Sequence, residues 1–224
     1  MDHYVIPDIH GRADLLQAAI DMIGRNSEVA KVTFLGDYID RGPDSKGVLD
    51  ILMSGPPDKA NHFWEMLRGN HEDMLLEAFS RKDKGTWEWW LNNGGYDTME
   101  SFHGPENYRK SLPDRYMEFL KSLPRYTYDD HRIYVHAAVS KGYPLDNQPE
   151  AVTQWHRYQN NFDSPLFDRY IVHGHTPQKQ PFIGKHRCNL DTRAYATNIL
   201  HVAKFDTDVA GGPIHVYPIT VIVK

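Results

Sequence analysis

Gly36-Asp37-Tyr38-Ile39-Asp40-Arg41-Gly42 follows an apolar run, Val32 to Leu35, that reads as a buried strand. Two carboxylates three residues apart, with an arginine beside the second, therefore sit in a glycine-bounded turn at a strand end. Chemistry in α/β folds collects at the C-terminal ends of sheet strands, because the loops there converge on a crevice. Asp37 can offer its two oxygens to two cations, and Arg41 carries the planar fork that suits a phosphate. Taken alone, the string also fits a turn held by aspartate side chains and one ion pair. The surrounding chain separates the two readings.

Upstream, Tyr4 to Pro7 reads as a short apolar strand that ends in Asp8-Ile9-His10-Gly11. Alternation along an extended chain places Asp8 and His10 on one side, an oxygen and a nitrogen ligand for one cation. A helix follows over 14–23, with Leu15, Leu16, Ala19, Ile20 and Ile23 at helical spacing and Gly24 as its stop. Strand, helix and the strand before Asp37 make a βαβ unit. Downstream, Ser45 reads as the cap of a second helix that ends at Gly55. A third strand, His62 to Leu67, runs into Arg68-Gly69-Asn70-His71-Glu72, and a helix over 72–79 follows. Three successive strand ends thus carry Asp/His, Asp/Asp/Arg and Asn/His.

Residues 81–125 change character and read as a helical cap inserted between strands. Trp87, Trp89 and Trp90 fall within four residues, Gly94-Gly95 interrupts the pattern, and Leu112 to Leu123 reads as an amphipathic helix. The tryptophans are expected to form the cap's own core, with stacking of one of them, or of Tyr96, on a substrate ring as the other reading. Tyr126 to Tyr128 and Ile133 to Val135 read as a hairpin that leads into His136. Gln154 to Arg157 reads as a short helix, and the strand Tyr170 to Val172 runs into His173-Gly174-His175. From Cys188 onward the alternation of Leu200, Val202 and Phe205 reads as an antiparallel β region.

Composition narrows the classes. At 224 residues, with 40% hydrophobic and 25% charged residues, the chain fits one globular domain over 1–224. The net charge of -5 gives no electrostatic reason to expect nucleic acid as a partner. No apolar stretch is long enough to span a membrane, and no secretory leader is recognisable at the N-terminus. The single cysteine, Cys188, excludes an internal disulfide and fits a reducing, cytoplasmic setting.

Asp8, His10, Asp37, Asn70, His136 and His175 form a mixed oxygen and nitrogen set large enough for two divalent metals, with Asp37 bridging. In order, DIHG, GDYIDRG, RGNHE, VHA and GHT resemble the calcineurin-like metallophosphoesterase superfamily. More narrowly, they resemble its phosphoprotein phosphatase branch, which holds bacterial serine/threonine phosphatases and symmetrical dinucleoside tetraphosphatases. Pro177 stands where other branches place a further metal-binding histidine. The resemblance implies an α/β fold in which a two-sheet β sandwich is flanked by helices. It also implies a first metal on Asp8, His10 and Asp37, and a second on Asp37, Asn70, His136 and His175. Manganese is the first candidate, ahead of iron, zinc, nickel or cobalt.

The implied reaction is hydrolysis by in-line attack of a hydroxide bridging metals about 3.5–4 Å apart, without a phosphoenzyme. Arg41, Arg157 and Asn70 would hold the substrate phosphate. His71 would act as general acid, oriented by Asp40. The expected substrate is a phosphomonoester, foremost phosphoserine or phosphothreonine in a protein. A dinucleoside tetraphosphate is the alternative, and a non-catalytic binding protein on the same scaffold is a remote one. Bacterial relatives often read DTG near the last motif, whereas this chain reads Asp191-Thr192-Arg193. Arg193 therefore stands either as a contact at the mouth of the site or as a surface side chain.

Overall fold

The computed structural model describes residues 1–57, 61–105, 107–108, 110–159 and 162–221. Strand β1 (Asp2–Ile6), helix α1 (Ala13–Asn26) and strand β2 (Val29–Phe34) form the βαβ unit, with β1 and β2 parallel. After α2 (Ser45–Ser54), strand β3 (Asn61–Met66) joins β2 in parallel. Helices α3 (Asn70–Arg81), α4 (Lys84–Trp90), α5 (Tyr96–His103) and α6 (Asp114–Ser122) come next. Strands β4 (Tyr126–Tyr128) and β5 (Arg132–Val135) form the hairpin. The chain then passes through α7 (Glu150–Trp155), β6 (Tyr170–His173), β7 (Phe182–Ile183), β8 (Arg187–Asn189), α8 (Ala194–Thr197), β9 (Leu200–Asp206) and β10 (His215–Ile219).

Two five-stranded sheets result, ordered β10-β9-β1-β2-β3 and β4-β5-β6-β8-β7. Strand alternation explains the layering. Tyr4 and Ile6 of β1 face the helices α1 to α6, in a core with Leu15, Leu49, Leu75 and Trp90. Val5 faces the other way and packs with Ala203 and Phe205 against Tyr134, Val172 and Cys188 of the second sheet. The outer face of that sheet carries Ile133, Val135 and Ile171, covered by Tyr158 and Leu166. The two-sheet sandwich flanked by helices is therefore the observed architecture.

Several local expectations are corrected. Gly24 lies inside α1, where an added Cβ would meet nothing within 4 Å, and the helix ends instead on the extended Ser27. Asp44 caps α2 by accepting from the Gly47 N–H, while Ser45 is its first residue, buried with its Oγ on Thr98. Asn70 and His71 begin α3 rather than preceding it. The tryptophans make no core of their own, since Trp87 and Trp90 pack edge-on against Phe79 and join the main helical core. The C-terminal third divides between the sheets: β8 runs parallel to β6, whereas β9 pairs antiparallel with β1 and β10. Arg157 lies beyond the end of α7.

Candidate metal centre

The ends of β1, β2, β3, β5 and β6 meet at one edge of the sandwich. The connection after β1 is held to the one after β2 by Ile9 and His10 N–H groups, both donating to the Asp37 carbonyl at 3.0 and 2.8 Å. Its neighbour across the sandwich is fixed by the Gly174 N–H, which donates to the His136 carbonyl at 2.9 Å. His10 takes a left-handed conformation at φ 44, so a turn, and not strand alternation, aims Asp8 and His10 together. Asp37, Asp40, Arg41, His175 and Arg193 share that left-handed region, with φ between 53 and 71. Such backbone costs about 1–3 kcal/mol per residue and collects where side chains must be aimed.

Asp37 is central. Its Oδ2 lies 3.5 Å from His10 Nε2, and its Oδ1 lies 3.4 Å from His136 Nε2. One carboxylate thus presents one oxygen to each of two donor groups: His10, Asp37 and His71, and then Asp37, His136 and His175. Proton positions follow from the outer hydrogen bonds. His10 Nδ1 donates to the Ile39 carbonyl at 2.8 Å, and His136 Nδ1 donates to the Leu35 carbonyl at 3.0 Å. Each therefore keeps a bare Nε2 facing inward. His175 turns Nδ1 to His136 Nε2 at 3.2 Å and to Asn70 Oδ1 at 2.9 Å.

Lone pairs of nitrogen and oxygen converging without a proton between them fit a divalent cation. The electrostatics agree. Burial, then the His71 and Arg41 charges, hold the His10 imidazole well below its ordinary range. Burial, then His175, does the same for His136, and His175 is lowered to about 4 by burial and Arg157. Burial and the neighbouring Asp8 carboxylate raise Asp37 far above the usual carboxylate range. Four buried acceptors crowded together are costly unless positive charge joins them. Asp8 stands beside this group, accepting from the His175 N–H at 3.1 Å, and it lines the same cavity.

His71, a member of the first donor group, also meets a carboxylate on its other ring nitrogen. Its Nδ1 lies 2.7 Å from Asp40 Oδ2, which turns Nε2 toward the cavity. Asp40 also accepts from Trp90 Nε1 at 3.0 Å and from Thr98 Oγ1 at 2.6 Å. Burial pushes the Asp40 carboxyl up to about 7, while the Thr98 and Trp90 donors pull it down. All three partners point donors at Asp40, which suits the anion. Trp90 and Thr98 come from the helical segment some fifty residues onward, and sequence spacing carries no sign of them.

Glu72 is the other residue whose role only the fold discloses. It is buried and accepts from the N–H groups of Gly69, Tyr38 and Asp37 at 2.8, 2.8 and 2.9 Å. One carboxylate thereby pins the Asp37 turn to the start of α3, which carries Asn70 and His71.

Arg41, Asn70, His71, Arg157 and Arg193 line a cavity of 790 Å³ with Asp8 and Asp37. Arg41 donates to His10 Nε2 at 3.2 Å and lies over the Tyr195 ring, 5.4 Å from its centroid. Trp155, on the cavity wall, stacks on the exposed Trp89 with centroids 5.8 Å apart. His173 is kept from the site, bonded to Arg187 and the Gly174 carbonyl.

A family model described as calcineurin-like phosphoesterase matches residues 1–193, most of the chain, and takes in both donor groups with Arg41, Arg157 and Arg193. The chain belongs to the calcineurin-like phosphoesterase family. It is 38% identical over 93 residues to serine/threonine-protein phosphatase 2 of Escherichia coli (strain K12), a match spanning 41% of this chain and 38% of that protein. It is 24% identical over 220 residues to the asymmetrical bis(5'-nucleosyl)-tetraphosphatase PrpE of Bacillus thuringiensis (strain Al Hakam), spanning 87% and 86% of the two. Among solved structures, the fold is similar to a cold-active protein-tyrosine phosphatase of a psychrophilic Shewanella species. That likeness has a TM-score of 0.65 and 16% identity, and covers 98% of this chain and 80% of the other. A calcineurin-like phosphoesterase depends on two metals, and the His/Asp groups around Asp37 supply donors for them.

Proposed function

We propose that this calcineurin-like phosphoesterase hydrolyses phosphomonoesters, foremost phosphoserine and phosphothreonine in proteins. The observation that carries the reading is Asp37, one oxygen toward each donor group, with His71 Nε2 and three arginines on the same cavity. Asp8, His10 and Asp37 would hold one metal, and Asp37, Asn70, His136 and His175 the other. Bound there, two cations supply positive charge and acidify coordinated water. Mixed imidazole and carboxylate donors suit manganese, with iron, zinc, nickel and cobalt as the other candidates.

The chain's own groups do the rest. Arg41 and Arg157 offer planar forks to the phosphate's oxygens, and Asn70 can add its amide N–H. As the imidazolium, protonated on both nitrogens, His71 would give its Nε2 proton to the departing oxygen and revert to the neutral ring, while Asp40, held by Trp90 and Thr98, keeps Nδ1–H and offsets the ring's positive charge beforehand. The 38% identity to a serine/threonine-protein phosphatase supports a protein substrate, and the longer match to a dinucleoside tetraphosphatase favours the second reading. No described helix is long and apolar enough to cross a membrane, and the buried free Cys188 is consistent with a cytoplasmic enzyme.

Initial rates on a phosphoserine peptide and on diadenosine tetraphosphate, each with added manganese, test the assignment. The peptide should be the better substrate by kcat/KM. A tenfold or greater preference for the dinucleotide would replace this reading with the second one, and no turnover on either substrate with any of the five metals would end both.

A further inference from the structure

Three arginines line the metal-centre cavity, and a single phosphate employs two of them. Arg193 is the third, an exposed side chain whose backbone holds φ 57 and ψ 57. Glycine would take that conformation without strain, so the arginine is kept there at a cost in backbone energy. The Arg193 N–H donates to Asp191 Oδ1 at 2.8 Å, which anchors the turn. Burial raises the Asp191 carboxyl, and the charges of Arg41, Arg193 and Arg157 each pull it back. Among the described residues the carboxylate-paired arginines are Arg12, Arg68, Arg81, Arg115 and Arg125. Arg41, Arg157 and Arg193 are absent from that set, and Asp97 is the one carboxylate on the cavity wall besides Asp8 and Asp37. The cavity thus carries one guanidinium beyond the two that a single phosphoryl group employs.

We propose that Arg193 binds a second anionic group carried by the substrate, adjacent to the phosphoryl group that is hydrolysed. This rests on the reading of the cavity as a phosphate-ester site and adds what the substrate must carry beyond that ester. The second group is an oxyanion that can face a guanidinium fork: a neighbouring phosphoryl group, or a carboxylate beside a phosphorylated residue.

Equilibrium binding by calorimetry at fixed free manganese tests it, in a His71→Asn background so that ligands survive the titration. AMP and ADP form one pair, with inorganic phosphate as the reference, and phosphoserine peptides with aspartate or alanine after the phosphoserine form the other. With Arg193 intact, the doubly anionic member of one pair should bind at least tenfold more tightly than its partner. That pair names the source. Arg193→Gly should cut the advantage ten- to one-hundredfold, the worth of a charge-assisted hydrogen bond, while phosphate affinity changes less than threefold. Because glycine relieves the backbone at this position, the variant should melt no lower than its parent. Equal weakening of phosphate and every other ligand would make Arg193 a general anion clamp and overturn the proposal. So would the absence of any preference within both pairs, or a preference that survives Arg193→Gly. The readout is binding, so a failure of the hydrolytic assignment would appear separately, as absent turnover in the wild type.

Discussion

His71 Nε2 lies 4.0 Å from Asp37 Oδ2, yet the two residues are expected to fail in different ways when altered. His71→Asn should leave the six proposed ligands Asp8, His10, Asp37, Asn70, His136 and His175 and their bound metal in place, and slow hydrolysis of a phosphoserine peptide by about two to four powers of ten, the usual worth of general acid catalysis. The loss should be smaller on an aryl phosphate, whose leaving group needs less protonation. Single-turnover rates on both substrates, with metal content measured on the same samples, check this; an equal loss on the two would rule out the acid role. The candidate donors legible in the sequence are those whose chemistry is written in their type and their place at a strand end. Asp8, His10, Asp37, Asn70, His136 and His175 all gather at the centre. Glu72, Trp90 and Thr98 were not legible as working parts, because each acts through a tertiary contact: Glu72 on three backbone N–H groups, and Trp90 and Thr98 on Asp40.

At the scale of elements, the link between α4 and α5 has the clearest consequence. Residues Leu91–Gly95 make a kink in which Gly94 takes φ 115, and its carbonyl accepts the Arg41 N–H at 3.3 Å. A Cβ on Gly94 would stand 2.7 Å from Arg41 N and 2.8 Å from Arg41 Cγ. Gly94→Ala is therefore strained twice, by its backbone angle and by the arginine it would displace. Competitive inhibition by free phosphate should weaken about tenfold, with metal stoichiometry unchanged. Unaltered phosphate inhibition would detach the kink from the site. The pair Gly94-Gly95 was visible as a break in the sequence, but its contact with a turn fifty residues earlier was not. Regular elements read better than their ends. Periodicity identified α1, yet a solvent-facing glycine did not end it, and Asp44 displaced Ser45 as cap by one residue because Ser45 Oγ is engaged with Asp40 and Thr98. The antiparallel reading of the C-terminal third went astray where alternation is silent about partners. β8 is flanked by a parallel neighbour on one side and an antiparallel one on the other.

Over the whole molecule, the two sheets meet through a layer that includes a buried histidine. His3 Nε2 lies 2.8 Å from Thr33 Oγ1, and Nδ1 lies 3.1 Å from the Tyr134 hydroxyl across the sandwich. Burial, with the nearby Lys31 charge, lowers His3 to about 3, so the folded state holds it neutral. Its folded pKa lies below the unfolded value of 6.5, and its contribution is therefore fully present above pH 6.5 and lost as pH falls toward 3. The loss should reach about 2 kcal/mol by pH 5. Denaturant unfolding of the metal-free protein at pH 7 and pH 5 checks this, with His3→Gln expected to show a drop smaller by about that amount; matching drops would exclude His3. The sandwich edge is expected to hold two metals that share Asp37, and metal analysis tests this most directly. Wild type and Asp37→Asn, each equilibrated with manganese and freed of excess, should differ sharply. Two equivalents per chain are expected in the wild type, with one or fewer and no phosphatase turnover in the variant. Two full equivalents in Asp37→Asn would contradict the shared centre.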